Sequence, residues 1–161
     1  QWNTLNAMEA PMIPSPTRWR GHALRTYRFS EAHRLYHVVA VTHGRAPHFT
    51  DLFAARQVVH ALKGEERLGR ARTWAFVLMP DHLHWLLELT GTVPLARVIG
   101  SMKSVAAHGM GGKVWQRGYY DHALRVEEEA EKVARYLVAN PLRKGLVEEI
   151  GQYPHWDAIW V

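Results

Sequence analysis

The stretch TWAFVLMPDHLHWLLEL, residues 73–89, decides the fold. Two strand-like runs, 73–79 and 82–89, are parted only by Pro80-Asp81, a break too short for a helix, so the spacing predicts antiparallel neighbours. Residues i and i+2 of a strand share a face, so His82 and His84 project side by side while Leu83 and Trp85 face the opposite way. A buried strand has no use for imidazoles that lack partners, because each must be hydrogen-bonded or cost stability. Two readings stand at this point: the pair grips one metal ion from a rigid strand, or it is hydrogen-bonded structure or polar surface.

Upstream, LYHVVAVT (35–42) is rich in β-branched and aromatic residues and reads as a strand ended by HGRAP. Thr50 is placed to cap a helix carrying Leu52, Ala55, Val58, Val59 and Leu62 at helical spacing as far as Lys63-Gly64. Downstream, Leu95, Val98, Ile99, Met102 and Ala106 trace a second amphipathic helix that runs into HGMGGK. That glycine run is not a phosphate loop, since Ala107 stands where glycine is needed and Val114 where Ser or Thr is. VWQRGYY (114–120) reads as a fourth strand, and Glu127 to Asn140 as a third helix with Ala130, Val133, Ala134, Leu137 and Val138 as its stripe. Three glutamates in the first turn of that helix favour the positive end of its dipole. The order β-α-β-β-α-β plus a helix and a YPHWDAIWV tail predicts an α+β fold, a ferredoxin-like antiparallel sheet with an added C-terminal helix.

Composition narrows the class. At 161 residues, 47% hydrophobic and 22% charged, the chain suits one globular domain over 18–161, with 1–17 read as a disordered leader or expression remnant. No apolar run approaches the roughly 20 residues that cross a bilayer. Zero cysteines exclude disulfides, thiolate metal sites and cysteine nucleophiles, and suit a reducing cytoplasm. The net charge of +5 favours a polyanionic partner, and its source is N-terminal: residues 1–50 carry Arg18, Arg20, Arg25, Arg28, Arg34 and Arg45 against two acids.

Further chemistry lies in ARYLVANPLRKGLV (134–147), where Tyr136 and Asn140 stand four apart beside the apolar stripe. Asn140 offers an oxygen ligand and Tyr136 a phenol able to attack an electrophile. Equally, Asn before Pro is a common helix ending and a tyrosine beside an apolar stripe is ordinary packing.

Taken together, MPDHLHWLL, VWQRGYYDHALR and YLVANPLRKGLV, in that order and spacing, resemble the REP-associated tyrosine transposases, relatives of the single-tyrosine HUH transposases. The resemblance runs from about Arg18 to Trp160 and includes YHVVAVTHGRAPHF near its start. It implies that His82, His84 and Asn140 bind a divalent metal and that Tyr136 is the nucleophile, with Asn140 in the form expected of the REP-associated branch. It implies a metal-dependent single-stranded DNA endonuclease and strand transferase in the bacterial cytoplasm, near the nucleoid. Its substrate would be a REP-type hairpin with an adjacent guide tetranucleotide, cut through a 5′-phosphotyrosine intermediate by a monomer or homodimer.

Two imidazoles and an amide suit Mg²⁺ or Mn²⁺, with Zn²⁺ or Ni²⁺ as non-productive occupants. Tyr136 must lose its proton during attack, and no carboxylate in the motif is an obvious base. The N-terminal arginines and Lys103 are candidate DNA contacts, each also readable as a solvated charge. Asp81 and His122 are candidates for the outer shell of the metal. Tyr119 and Tyr120 are rival nucleophiles read as structural, and Trp74, Trp85 and Trp115 as core. The competing functions are a catalytically silent, domesticated hairpin-binding protein and a zinc hydrolase or structural metal site; the second would expect a third histidine or an acid and has no need of Tyr136.

Overall fold

The computed structural model describes residues 30–124 and 127–160, so expectations about the leader and about Arg18, Arg20, Arg25 and Arg28 lie outside the described residues. The elements are β1 (Leu35–Val41), α1 (Leu52–Arg67), β2 (Ala71–Met79), β3 (His82–Leu89), α2 (Leu95–Gly109), β4 (Tyr120–Ala123), α3 (Glu127–Val138), α4 (Asn140–Arg143) and β5 (Trp156–Ala158). The strands form one sheet in the order β4-β1-β3-β2-β5, every pairing antiparallel. Its first four strands have the ferredoxin-like order, and β5 extends the sheet beyond β2.

Strands β1 and β3 are central and covered on both faces, which is why LYHVVAV and HLHWLLEL read as nearly continuous apolar runs. One face carries Val38, Leu83, Trp85 and Leu87 against α1 and α2; the other carries Leu35, Val77 and Leu86 against α3. Trp85 is fully buried, and its indole N–H donates to Thr73 Oγ1 at 3.1 Å. Among the described residues no helix is long and apolar enough to cross a membrane.

The turn at Pro80-Asp81 is as tight as its length requires, with Met79 paired directly with His82. Proline presets the backbone for such a turn. Two backbone N–H groups from beyond β1 then fasten it: Thr42 donates to the Asp81 carbonyl at 2.9 Å and Phe49 to the Pro80 carbonyl at 3.0 Å. The first residue of β3, His82, is therefore held at a rigid corner of the sheet.

Four local readings change. Asp51, not Thr50, caps α1, its carboxylate accepting from Ala54 N–H at 2.8 Å, and the helix runs past Gly64 to Arg67. Residues 114–119 are a loop held just beyond the end of β1 by a single bridge, Thr42 with Trp115, because Gly118 at φ 85° turns the chain out of extended geometry; β4 starts at Tyr120. The third helix ends at Val138, and Asn140 opens α4. The tail supplies β5, where Leu78 N–H donates to the His155 carbonyl and Tyr153 Oη–H to the Leu78 carbonyl at 2.7 Å.

Candidate active site

The α3 face of the sheet carries a row of histidines across three strands. His82 and His84 come from β3, His37 lies next to them on β1, and His122 stands opposite His37 on β4. The Nε2 atoms of His82 and His84 are 3.1 Å apart. Adjacent ligands at about 2.1 Å from one divalent ion stand about 3 Å apart, so this separation fits a shared ion as well as a hydrogen bond between the rings.

The outward nitrogens of the pair are fixed from behind. His82 Nδ1 meets the Asp81 carboxylate, and Asp81 is in turn bound by Arg45 at 3.0 Å. His84 Nδ1 is 3.1 Å from Nε2 of His37, with the two rings stacked at 5.3 Å between centroids. If each Nδ1 carries the proton, both Nε2 lone pairs face the same point, the tautomers that metal-bound imidazoles require. Two facing lone pairs repel each other, and a cation between them relieves that repulsion.

Burial, followed by the charges of His37, His82 and Arg143, pushes His84 well below its usual pKa. Burial also lowers His82, against the opposing influence of Asp81, and takes His37 down to about 4 with a contribution from His122. At Asp81 the cost of burial is outweighed by hydrogen bonds from His82 and Arg45, and its pKa is lowered. The imidazoles are thus neutral at neutral pH, as a metal ligand must be.

A pH dependence follows. The unfolded chain protonates His37 near 6.5 and the folded chain only near 4, so between these values the unfolded state binds more protons and stability falls with falling pH. The expected loss attributable to His37 is on the order of 3 kcal/mol. Urea titrations from pH 7 to pH 4 check it: His37→Leu should flatten the acid limb, and an unchanged limb would contradict the assignment.

The remaining candidates sit on the α3–α4 junction. Pro141 has no N–H to donate to the Leu137 carbonyl four residues back, and Asn140 Nδ2 fills that vacancy at 3.0 Å. The amide is thereby oriented, and its Oδ1 accepts from Arg143 at 2.8 Å. Arg143 also donates to the Tyr136 carbonyl at 2.6 Å and lays its guanidinium over the Tyr136 ring, Cζ 3.7 Å from the centroid. Helix α3 packs on β2 and β3 and α4 on β2, on the face of the sheet that carries the histidine pair.

His82, His84 and Asp81 therefore stand together at the start of β3, with His122 at the exposed margin of the row, while Tyr136 and Asn140 stand together around Arg143 at the α3–α4 junction. His37 and Arg143 were not singled out in the sequence; the signals available were a histidine inside the apolar run YHVVAV and the arginine of NPLRKG. Among the described residues no group of three or more His, Asp or Glu side chains converges to hold an ion. Of the other proposed DNA contacts, Arg34 pairs with Glu31 at 2.7 Å and Arg45 with Asp81, while Lys103 Nζ is engaged by the carbonyls of Gln116 and Gly118. Tyr119 packs against the α1–α2 core, and Tyr120 lies in β4 opposite Val39.

Residues 31–140 match the family described as "Transposase IS200 like". The chain belongs to that family. A curated relative, the REP-associated tyrosine transposase of Escherichia coli K12, is 27% identical over 82 residues, half of each chain, so this IS200-like chain spans about half the length of the relative it matches. A solved REP-associated tyrosine transposase bound to a REP hairpin shares the fold at a TM-score of 0.71 and 19% identity, over 80% of this chain and 79% of that one. A putative transposase from Deinococcus radiodurans superposes at 0.50 with 20% identity, over 68% and 92%.

Proposed function

We propose that this IS200-like transposase chain is a metal-dependent endonuclease and strand transferase for single-stranded DNA, acting beside REP-type hairpins through a 5′-phosphotyrosine intermediate. The observation that carries the reading is the two Nε2 atoms 3.1 Å apart, each backed by its own Nδ1 partner, with Tyr136 under Arg143 on the adjoining helix. His82 and His84 would hold Mg²⁺ or Mn²⁺ with the Asn140 oxygen, whose second lone pair is available beyond its bond to Arg143. The bound ion supplies charge neutralisation at the scissile phosphate.

The protein's own part is nucleophile and electrostatics. The Tyr136 oxygen bonds to phosphorus as the bond from phosphorus to the 3′-oxygen breaks, leaving the 5′-phosphate on tyrosine and a free 3′-OH. The proton lost by the phenol is balanced by the one the 3′-oxygen gains, and the phosphate ester energy is kept for rejoining. Arg143 holds positive charge against the ring where negative charge grows during attack. A REP-type hairpin, as in the hairpin-bound relative above, is the proposed partner, and the adjacent guide tetranucleotide is added to it from the family resemblance alone.

The test incubates labelled single-stranded DNA carrying a palindromic hairpin and its flanks with protein and Mn²⁺, then seeks a covalent adduct on a denaturing gel. Tight hairpin binding without cleavage or capture in Mn²⁺ or Mg²⁺ would replace the enzyme by the domesticated binding protein.

His37 is a positioning residue in this scheme. His37→Leu removes the acceptor behind His84 and is expected to weaken Mn²⁺ binding roughly tenfold or more, the usual effect of losing such a support. His37→Gln restores an acceptor and should recover most of the affinity. Calorimetric titration with Mn²⁺ in the absence of DNA reads this directly, and equal affinity in all three proteins would remove the role.

A further inference from the structure

The fold holds a second basic feature on the opposite side of the same sheet corner. A groove of ≈ 700 Å³ opens between α2 and the 113–119 loop, lined by His43, Lys103, Lys113, Trp115, Arg117 and Tyr119, with no Asp or Glu among the described residues of its wall. We infer that this groove is a track for the unpaired DNA strand flanking the hairpin, an inference that rests on the DNA reading above and extends it to a surface remote from the histidine row.

The groove is built in advance. Lys103 reaches from α2 to the carbonyls of Gln116 at 2.7 Å and Gly118 at 2.8 Å, its Nζ 5.9 Å from the Trp115 ring, and so fixes the loop. Lys113 and Arg117 are left exposed on the rim. Tyr119, half-buried, adds an aromatic surface, and Lys103 adds positive charge beneath the loop. A wall of cations with aromatic rings is the combination that holds a single strand, by phosphate contact and base stacking; a duplex has no unstacked base to offer such a ring.

Its position supports the same occupant. Gln116 N–H donates to the Val41 carbonyl and His43 N–H to the Val114 carbonyl, both at 2.8 Å, so the loop is fastened to the end of β1. That strand end also holds the Pro80-Asp81 turn through Thr42, and Arg45 stands between, on Asp81. A strand leaving the histidine pair over this corner meets Arg45 and then the rim of the groove.

The experiment measures fluorescence anisotropy in EDTA with three probes: a hairpin with its single-stranded flank, the hairpin alone, and the flank alone. The double variant Lys113→Ala/Arg117→Ala, both side chains exposed, is expected to lose about tenfold affinity for the two flank-bearing probes, to shrink their salt slope by about 1.4, and to keep wild-type affinity for the bare hairpin. A 5-iododeoxyuridine flank should crosslink to the 113–119 peptide. Equal losses on all three probes, or no loss on any, overturn the inference, as does tighter binding of a ribonucleotide flank of the same sequence. Turnover is not needed for this reading: flank-selective loss without any covalent adduct keeps the groove and removes the catalytic proposal, and an adduct with no flank-selective loss does the reverse.

Discussion

Tyr136→Phe is expected to form no covalent adduct with hairpin-bearing DNA and to lose at least about a thousandfold in cleavage, the scale on which loss of an attacking group is felt. The change removes one oxygen and little else. Phenylalanine keeps the ring beneath Arg143 and its packing on the α3 side of the sheet, so stability should shift by less than about 1 kcal/mol and hairpin affinity by less than about twofold. Tyr119→Phe and Tyr120→Phe are the controls, because Tyr119 is half-buried against the edge of the α1–α2 core and Tyr120 lies in β4. An adduct that persists in Tyr136→Phe and disappears in either control would move the nucleophile to that position.

How far the sequence foretold this arrangement depended on the range of the interactions involved. The hairpin of β2 and β3 was legible because a two-residue break between apolar runs leaves one solution, and the alternation of Leu83 and Trp85 with the histidines fixed which face each would take. Helices α1 and α2 followed from their stripes. The loop at 114–119 was misread because its composition is strand-like, whereas its course is set by Gly118 and by Lys103 arriving from α2, a contact between positions 13 and 15 residues apart. Strand β5 has three residues and a proline two before it, too little for periodicity to register; its pairing depends on the exposed edge of β2 and on the Trp74–Trp160 contact at 5.5 Å.

The same distinction holds in the site. His82 and His84 declare themselves by spacing, and Tyr136 and Asn140 by lying four apart. His37 is 47 residues from His84, and only the register of β1 on β3 reveals that it stands behind that ring. Arg143 is three residues from Asn140, yet its role comes from the helix break: Pro141 frees a carbonyl, the Asn140 amide turns to fill it, and the amide oxygen is presented to the guanidinium. The chemistry of the junction thus follows from a missing backbone N–H.

His84→Ala is expected to lower Mn²⁺ affinity by at least about a hundredfold, since it removes one of two converging nitrogens and the partner of His37 in a single step. Thermal unfolding offers a readout free of DNA. In wild type, Mn²⁺ at a hundred times its dissociation constant should stabilise the fold by about 2.7 kcal/mol, and in His84→Ala the same addition should do almost nothing. The variant itself should be about 1–3 kcal/mol less stable, because His37 is left buried with its Nε2 unpartnered. These two effects separate the metal reading from the simpler one in which the histidines only bond to one another: both readings expect the loss of stability, but only the metal reading expects loss of the Mn²⁺ response. His122→Ala serves as the contrast, since the residue is exposed on β4 at the margin of the row, and it should keep the Mn²⁺ response. A wild-type protein whose unfolding ignores Mn²⁺ would leave the histidine row as a hydrogen-bonded brace between β1 and β3, and Tyr136 without the charge relief its attack on a phosphodiester needs.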